Sequence, residues 1–123
     1  MKPIISVDFD GTIANVQFPR IIGEMPGAIE TLKELQKHYL IIVWTCRNGS
    51  GLEEAVKWME ERGFKPDTVN ANPKESLEMH KSLIDEYGES RKIFAHCYID
   101  DSNFGGFPGW DIVRQHLLGE KNE

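Results

Sequence analysis

Hydrophobic residues along this chain gather in short continuous runs, and between the runs they recur at helical spacing. Ile4, Ile5, Val7 and Phe9 form a β-branched and aromatic run ended by Gly11, which predicts a buried strand. From Asn15 to Gly27 the chain holds Pro19, Gly23 and Pro26, which predicts an irregular excursion or small flap over about 15–26. Ile29, Leu32 and Leu35 then repeat as one face of a helix. Leu40 to Thr45 is apolar almost throughout, the pattern of a central parallel strand covered on both faces. Leu52, Ala55, Val56 and Met59 mark a second helix, closed at Gly63 where a left-handed cap is common. Asp67 to Ala71 reads as a short strand, and Pro73 opens a helix running through Leu83 and Ile84 to Tyr87 and Gly88. Ile93 to Ile99 is a further strand; a Gly/Pro-rich loop and an amphipathic helix with Ile112, Val113, Leu117 and Leu118 follow. Strands alternating with helices predict an α/β fold around a mostly parallel sheet.

The 123 residues fit one domain spanning 1–123, with no linker, repeat or low-complexity stretch. No apolar run approaches the roughly 20 residues of a membrane span. A net charge of -6 argues against a nucleic-acid partner, because phosphate-backbone affinity comes from clustered Lys and Arg. The first residues lead straight into an acidic strand end and lack a secretory apolar region, so a cytoplasmic location is expected. Cys46 and Cys97 form no metal-finger spacing and read as free, buried thiols.

The chemistry gathers where strands end. In open parallel sheets ligands bind beyond the carboxyl ends of the strands. Here those ends carry Asp8 and Asp10, Thr45, and Asp100 and Asp101. Side-by-side strand ends would crowd four carboxylates into one volume, and their repulsion calls for a divalent cation. Hard oxygen ligands of this kind suit magnesium, which binds through a few carboxylates, waters and substrate phosphate. In Asp8-Phe9-Asp10-Gly11-Thr12 the two carboxylates are two residues apart, so both can face the same side while Gly11 permits a tight turn beside a ligand. A carboxylate nucleophile forms an acyl-phosphate; the partner carboxylate, Asp10, protonates the leaving oxygen and later activates water. Arg47 could reach a phosphate with two parallel hydrogen bonds.

Read together, Ile4 to Thr12 as a first motif, Thr45 after Ile41-Ile42-Val43-Trp44 as a second, and Tyr98-Ile99-Asp100-Asp101 as an acidic fourth resemble the haloacid dehalogenase-like hydrolases over most of the chain. The pattern DxDGT alone should arise by chance in a chain this long on the order of once in a thousand. The resemblance implies a three-layer Rossmann-like domain. It implies that Asp8 is nucleophile and magnesium ligand, that Asp10 is the acid/base with its main-chain carbonyl on the metal, that Asp100 is a further ligand, and that Asp101 holds a metal-bound water. Thr45 would bind a phosphoryl oxygen. The family's third-motif lysine falls on Lys92, just before the last strand, in preference to Lys81 on the preceding helix. Neither interval in which the family inserts a cap is long enough for a folded one, so the chain is similar to small capless bacterial and phage members. The expected activity is phosphatase, because Asp10 supplies the acid that a poor alkoxide leaving group needs, and the expected partner is a phosphorylated small molecule. Self-association is one way such an open site could be closed.

Two other classes compete. A phospho-accepting receiver domain uses similar groups but places its acidic pair first and its acceptor later, the reverse of this order. A noncatalytic phosphate- or metal-binding module would need neither Asp8 nor Asp10 as a pair. No GxxxxGK stretch supports a P-loop. His80 and His96 lack partners at ligand spacing and read as helix-face and strand residues. Trp44, Trp58 and Trp110 read as packing residues; Asn70, Asn72 and Asn103 are placed near the cleft without a role.

Overall fold

The structure is a computed structural model that describes residues 1–120, so the last three residues of the expected 1–123 domain lie outside the described residues. Its elements are β1 (Ile4–Val7), β2 (Ala14–Gln17), β3 (Arg20–Glu24), α1 (Ala28–Gln36), β4 (Leu40–Val43), α2 (Gly49–Glu61), β5 (Thr68–Val69), α3 (Lys74–Met79), α4 (Lys81–Tyr87), β6 (Cys97–Ile99) and α5 (Trp110–Leu118). Four strands form one sheet in the order β5-β4-β1-β6, and every pairing in it is parallel. From β1 the chain moves outward through β4 to β5, then returns to place β6 on the other side of β1. The strand order therefore reverses between β1 and β6, which in such sheets is where a crevice opens.

The pleat divides the core in two. Ile5, Val7, Ile41 and Val43 face a large cluster completed by Leu32 and Leu35 of α1, Met59 of α2 and Val113 of α5. Ile4, Leu40 and Ile42 face the opposite way, where a small cluster with Ile93, flanked by Phe94 and Ala95, covers them. All three helices of nine residues or more thus contribute to one side. Beneath Asp8 and Asp10, Phe9 is wholly buried and meets Trp58 edge-on at 5.7 Å, fixing the turn to the core. Trp110 adds a second anchor by donating its indole N–H to the Thr12 carbonyl at 2.8 Å.

Several expectations are corrected. The 15–26 excursion is an ordered antiparallel hairpin of β2 and β3; its strands alternate exposed with buried or partly buried positions, Val16 and Ile21 turn toward the core, and Pro19 falls in the turn. The helix after Pro73 breaks at His80 (φ −103°, ψ 16°), whose ring packs edge-on against Phe94 and whose Nδ1 meets the Ser76 carbonyl. The strand expected from Ile93 begins only at Cys97, because side chains replace the ladder before it. Asn72 Oδ1 accepts from Phe94 N at 3.0 Å, the Tyr98 hydroxyl donates to the Ile93 carbonyl, and His96 Nδ1 accepts from Ile4 N at 3.0 Å. Cys97 is half-buried, but Cys46 is exposed, since β4 stops at Val43 and leaves it in the following loop. Among the described residues no cap is inserted, and no helix is long and apolar enough to cross a membrane.

Candidate active site

Parallel pairing carries β1 and β6 to neighbouring ends. Asp8 N donates to the Ile99 carbonyl at 2.9 Å, so Asp8 and Asp100 leave the sheet side by side. Oxygens of Asp8, Asp100 and Asp101 all lie within 4.8 Å of one another. The Asp8 carboxyl is pushed from its ordinary 3.8 up to about 7, first by burial, then by the charges of Asp100 and Asp101 and a hydrogen bond with Asp101. Thr12 opposes the shift weakly through its hydroxyl, which donates to Asp8 Oδ2 at 3.3 Å. Asp100 is itself oriented by Ser102 N at 2.8 Å.

Gly11 is required by this crowding. Its φ of +80° lies in the left-handed region, and a Cβ there would stand 2.1 Å from Asp101 Oδ2. The turn thus presses its backbone against the acidic loop of the neighbouring strand.

Asp10, expected in the same carboxylate group, is held elsewhere. Arg47 donates from Nη2 to Asp10 Oδ1 at 2.8 Å and from Nε to both Asp10 oxygens at 3.0 Å. Arg47 is buried, so the structure places it on Asp10 and not toward an open phosphate as its sequence position suggested. The carboxylate cluster therefore has three members, with the fourth on an arginine beside it.

A cleft of about 220 Å³ opens beside Asp8 and Asp100 and is lined also by Trp44, Lys92, Tyr98 and Asn103. Lys92 reaches it with Nζ 4.8 Å from the centre of the Tyr98 ring. Lys81 stays outside, paired with Asp85 on the exposed face of α4 at 2.7 Å. Trp44, read as a packing residue, instead lies 37% exposed on the cleft wall, whereas Trp58 and Trp110 are buried as expected. A cavity of about 180 Å³ between α3, α4 and Phe94 lacks this carboxylate cluster.

Thr45 is buried at the end of β4, where its hydroxyl accepts from Arg47 N at 3.1 Å. Its own N–H donates to Asn70 Oδ1 at 2.7 Å, and Asn70 Nδ2 reaches the Arg47 carbonyl at 3.4 Å. Asn70, assigned no role from its sequence position, thus holds the Thr45–Arg47 loop from the end of β5. The available signal was its residue type: Asn70 has φ 53°, a conformation in which asparagine is enriched. Replacing Asn70 with Ala is expected to cost about 2 kcal/mol in urea unfolding, from the lost acceptor and the backbone penalty together. Asn70→Gly should recover the backbone part; equal stability of Asn70→Ala and the natural protein would show that the clamp contributes nothing.

No family model matches this sequence, and no curated protein matches it. Among solved structures, a conserved protein from Bacteroides thetaiotaomicron superposes with a TM-score of 0.82 at 38% sequence identity, covering 99% of this chain and 94% of that one.

Proposed function

We propose a function for a chain that belongs to the family of this conserved Bacteroides thetaiotaomicron protein: it is a magnesium-dependent phosphomonoester hydrolase of the haloacid dehalogenase-like kind, acting through a phosphorylated Asp8. The relationship gives the α/β fold and kinship to that protein alone, and the hydrolase reading rests on the residues. One observation carries it: three carboxylates from the ends of adjacent parallel strands converge on one point beside a lysine-lined cleft. In this reading the sheet and its helices are the three-layer Rossmann-like core of that superfamily without a cap, and the substrate is a phosphorylated small molecule met in the cytoplasm.

The donor set fits a magnesium ion. Its atoms are all hard carboxylate oxygens, and burial and mutual repulsion already penalise the charge on Asp8, which a divalent cation would relieve. Asp8, Asp100 and Asp101, with the Asp10 carbonyl, would hold it, and it would neutralise charge on the phosphoryl oxygens.

In the first half of the reaction an Asp8 oxygen attacks phosphorus. The bond to the ester oxygen breaks as Asp10 gives that oxygen a proton. In the second half Asp10 takes a proton from water, the water oxygen attacks phosphorus, and the bond to Asp8 breaks to release phosphate and restore both carboxyl groups. Lys92 offsets charge on the phosphoryl group from the cleft side, and the Thr45 hydroxyl lies at the end of the strand beside Asp8.

Phosphate release from a panel of phosphomonoesters, with magnesium and with chelator, tests this reading. Release that requires magnesium is expected. No release from any ester, by a folded protein whose melting temperature magnesium raises, would instead favour a noncatalytic metal- and phosphate-binding module.

A further inference from the structure

Arg47 is the most enclosed charged side chain described near the carboxylates, 3% exposed as a residue, and its contacts run in three directions. Besides its bonds to Asp10, Nη2 donates to the Pro19 carbonyl at 2.9 Å in the turn of the β2–β3 hairpin. Nη1 donates to the Gly51 carbonyl at 3.2 Å in the first turn of α2. The guanidinium carbon also lies 5.4 Å from the centre of the Phe9 ring and 5.2 Å from that of Phe18, the exposed residue before Pro19. One cation is therefore joined to the acid/base candidate, to the tip of the flap and to the helix after the second motif.

A guanidinium is planar and presents its donors in a fixed fork, so a carboxylate bonded through Nε and Nη2 has little freedom to rotate. The carboxylate of Asp10 extends from a tight turn, and nothing else described bonds to its side chain. The orientation of that group is thus set by Arg47, and the orientation of Arg47 is set in part by the hairpin.

We propose that Arg47 is a positioning residue that aims the Asp10 carboxyl for its proton transfers, and that the β2–β3 hairpin acts on catalysis through it. This inference rests on the hydrolase reading above, with Asp10 as the group that protonates the leaving oxygen. It differs from a phosphate-binding role, in which Arg47 would contribute to substrate affinity, and from a purely structural one, in which its loss would slow all substrates alike.

Ester chemistry separates these roles. An alkyl phosphate needs a proton on its departing oxygen, whereas p-nitrophenyl phosphate does so far less. Arg47→Lys keeps the charge but loses the fork. It is expected to slow turnover of glycerol phosphate on the order of a hundredfold, with KM changed less than about threefold, as misaimed groups typically cost. The first-turnover burst of p-nitrophenolate should fall by less than about threefold. In an Asp10→Asn background the same replacement should slow neither ester further, because residues acting as one unit do not add. Phe18→Ala, at an exposed position that should not impair folding, is expected to give the same pattern more weakly and covers the case in which Arg47→Lys does not fold. A loss in the p-nitrophenolate burst equal to the loss in glycerol phosphate turnover, a rise in KM alone, or an undiminished effect in the Asp10→Asn background would overturn the proposal. A natural protein that turns over neither ester would remove the hydrolase reading itself, and this inference with it.

Discussion

Replacing Asp8 with Asn is expected to abolish phosphate release, by on the order of 10⁴-fold or more, because an amide cannot supply the attacking oxygen. The same change should make the metal-free protein more stable at pH 8. Asp8 titrates near 7 in the fold against an ordinary 3.8. Between those values the native state holds a proton that the unfolded chain has already released, so the group favours folding at low pH and its contribution falls as pH rises through the window. Asn is uncharged throughout and can donate toward Asp101, so the slope should vanish. Thermal denaturation in chelator at pH 5 and pH 8 measures this: the natural protein loses several degrees between them relative to Asp8→Asn, on the order of 4 °C. Magnesium should raise the melting temperature of the natural protein most at pH 8, since it takes the place of the Asp8 proton. An Asp8→Asn protein that retains turnover, or that is less stable than the natural one at pH 8, would contradict this account of the site.

The second large effect is expected at Gly11. Alanine there meets two independent penalties: a φ of +80° that costs an L-residue about 1–2 kcal/mol, and a Cβ that would lie 2.1 Å from Asp101 Oδ2. The backbone strain should appear in denaturant unfolding. The displacement of Asp101 should appear in magnesium binding, weakened about tenfold or more in calorimetric titration. Since the two penalties have separate readouts, loss of stability with unchanged magnesium affinity would mean that Asp101 moves freely and takes no part in holding the cation.

Much of this site could be read before any coordinates. Asp8, Asp100 and Asp101 come together because continuous apolar runs mark buried parallel strands, and parallel strands bring their following residues to one edge; Lys92 reaches the cleft from the segment between α4 and β6. The same logic located α1, α2 and α5, whose apolar spacing is regular. It failed where side chains substitute for backbone pairing. Asn72 and the Tyr98 hydroxyl satisfy main-chain groups over 93–95, and the His96 ring takes the Ile4 N–H, so an apolar run that looks like strand is loop there. It failed again at Arg47, since a loop arginine after a strand gives no local sign that its partner lies 37 positions earlier. The hairpin was missed because its two strands are short and mostly exposed, with Pro19 in the turn and Gly23 in β3, leaving little apolar alternation to read.

The unequal cover on the two sides of the sheet divides the molecule into tiers of local stability. One side rests on helices α1, α2 and α5, but α4 buries no side chain at all, and α3 buries only Ser76. Segments with so little buried surface open at a fraction of the global unfolding free energy, while β1, β4 and α1 yield only when the whole domain does. Lys92 follows directly from the weaker tier, whereas Asp8 and Asp10 flank Phe9 in the strongest. The cleft is therefore built between a wall that holds its shape until the protein melts and a wall that is the first to give way.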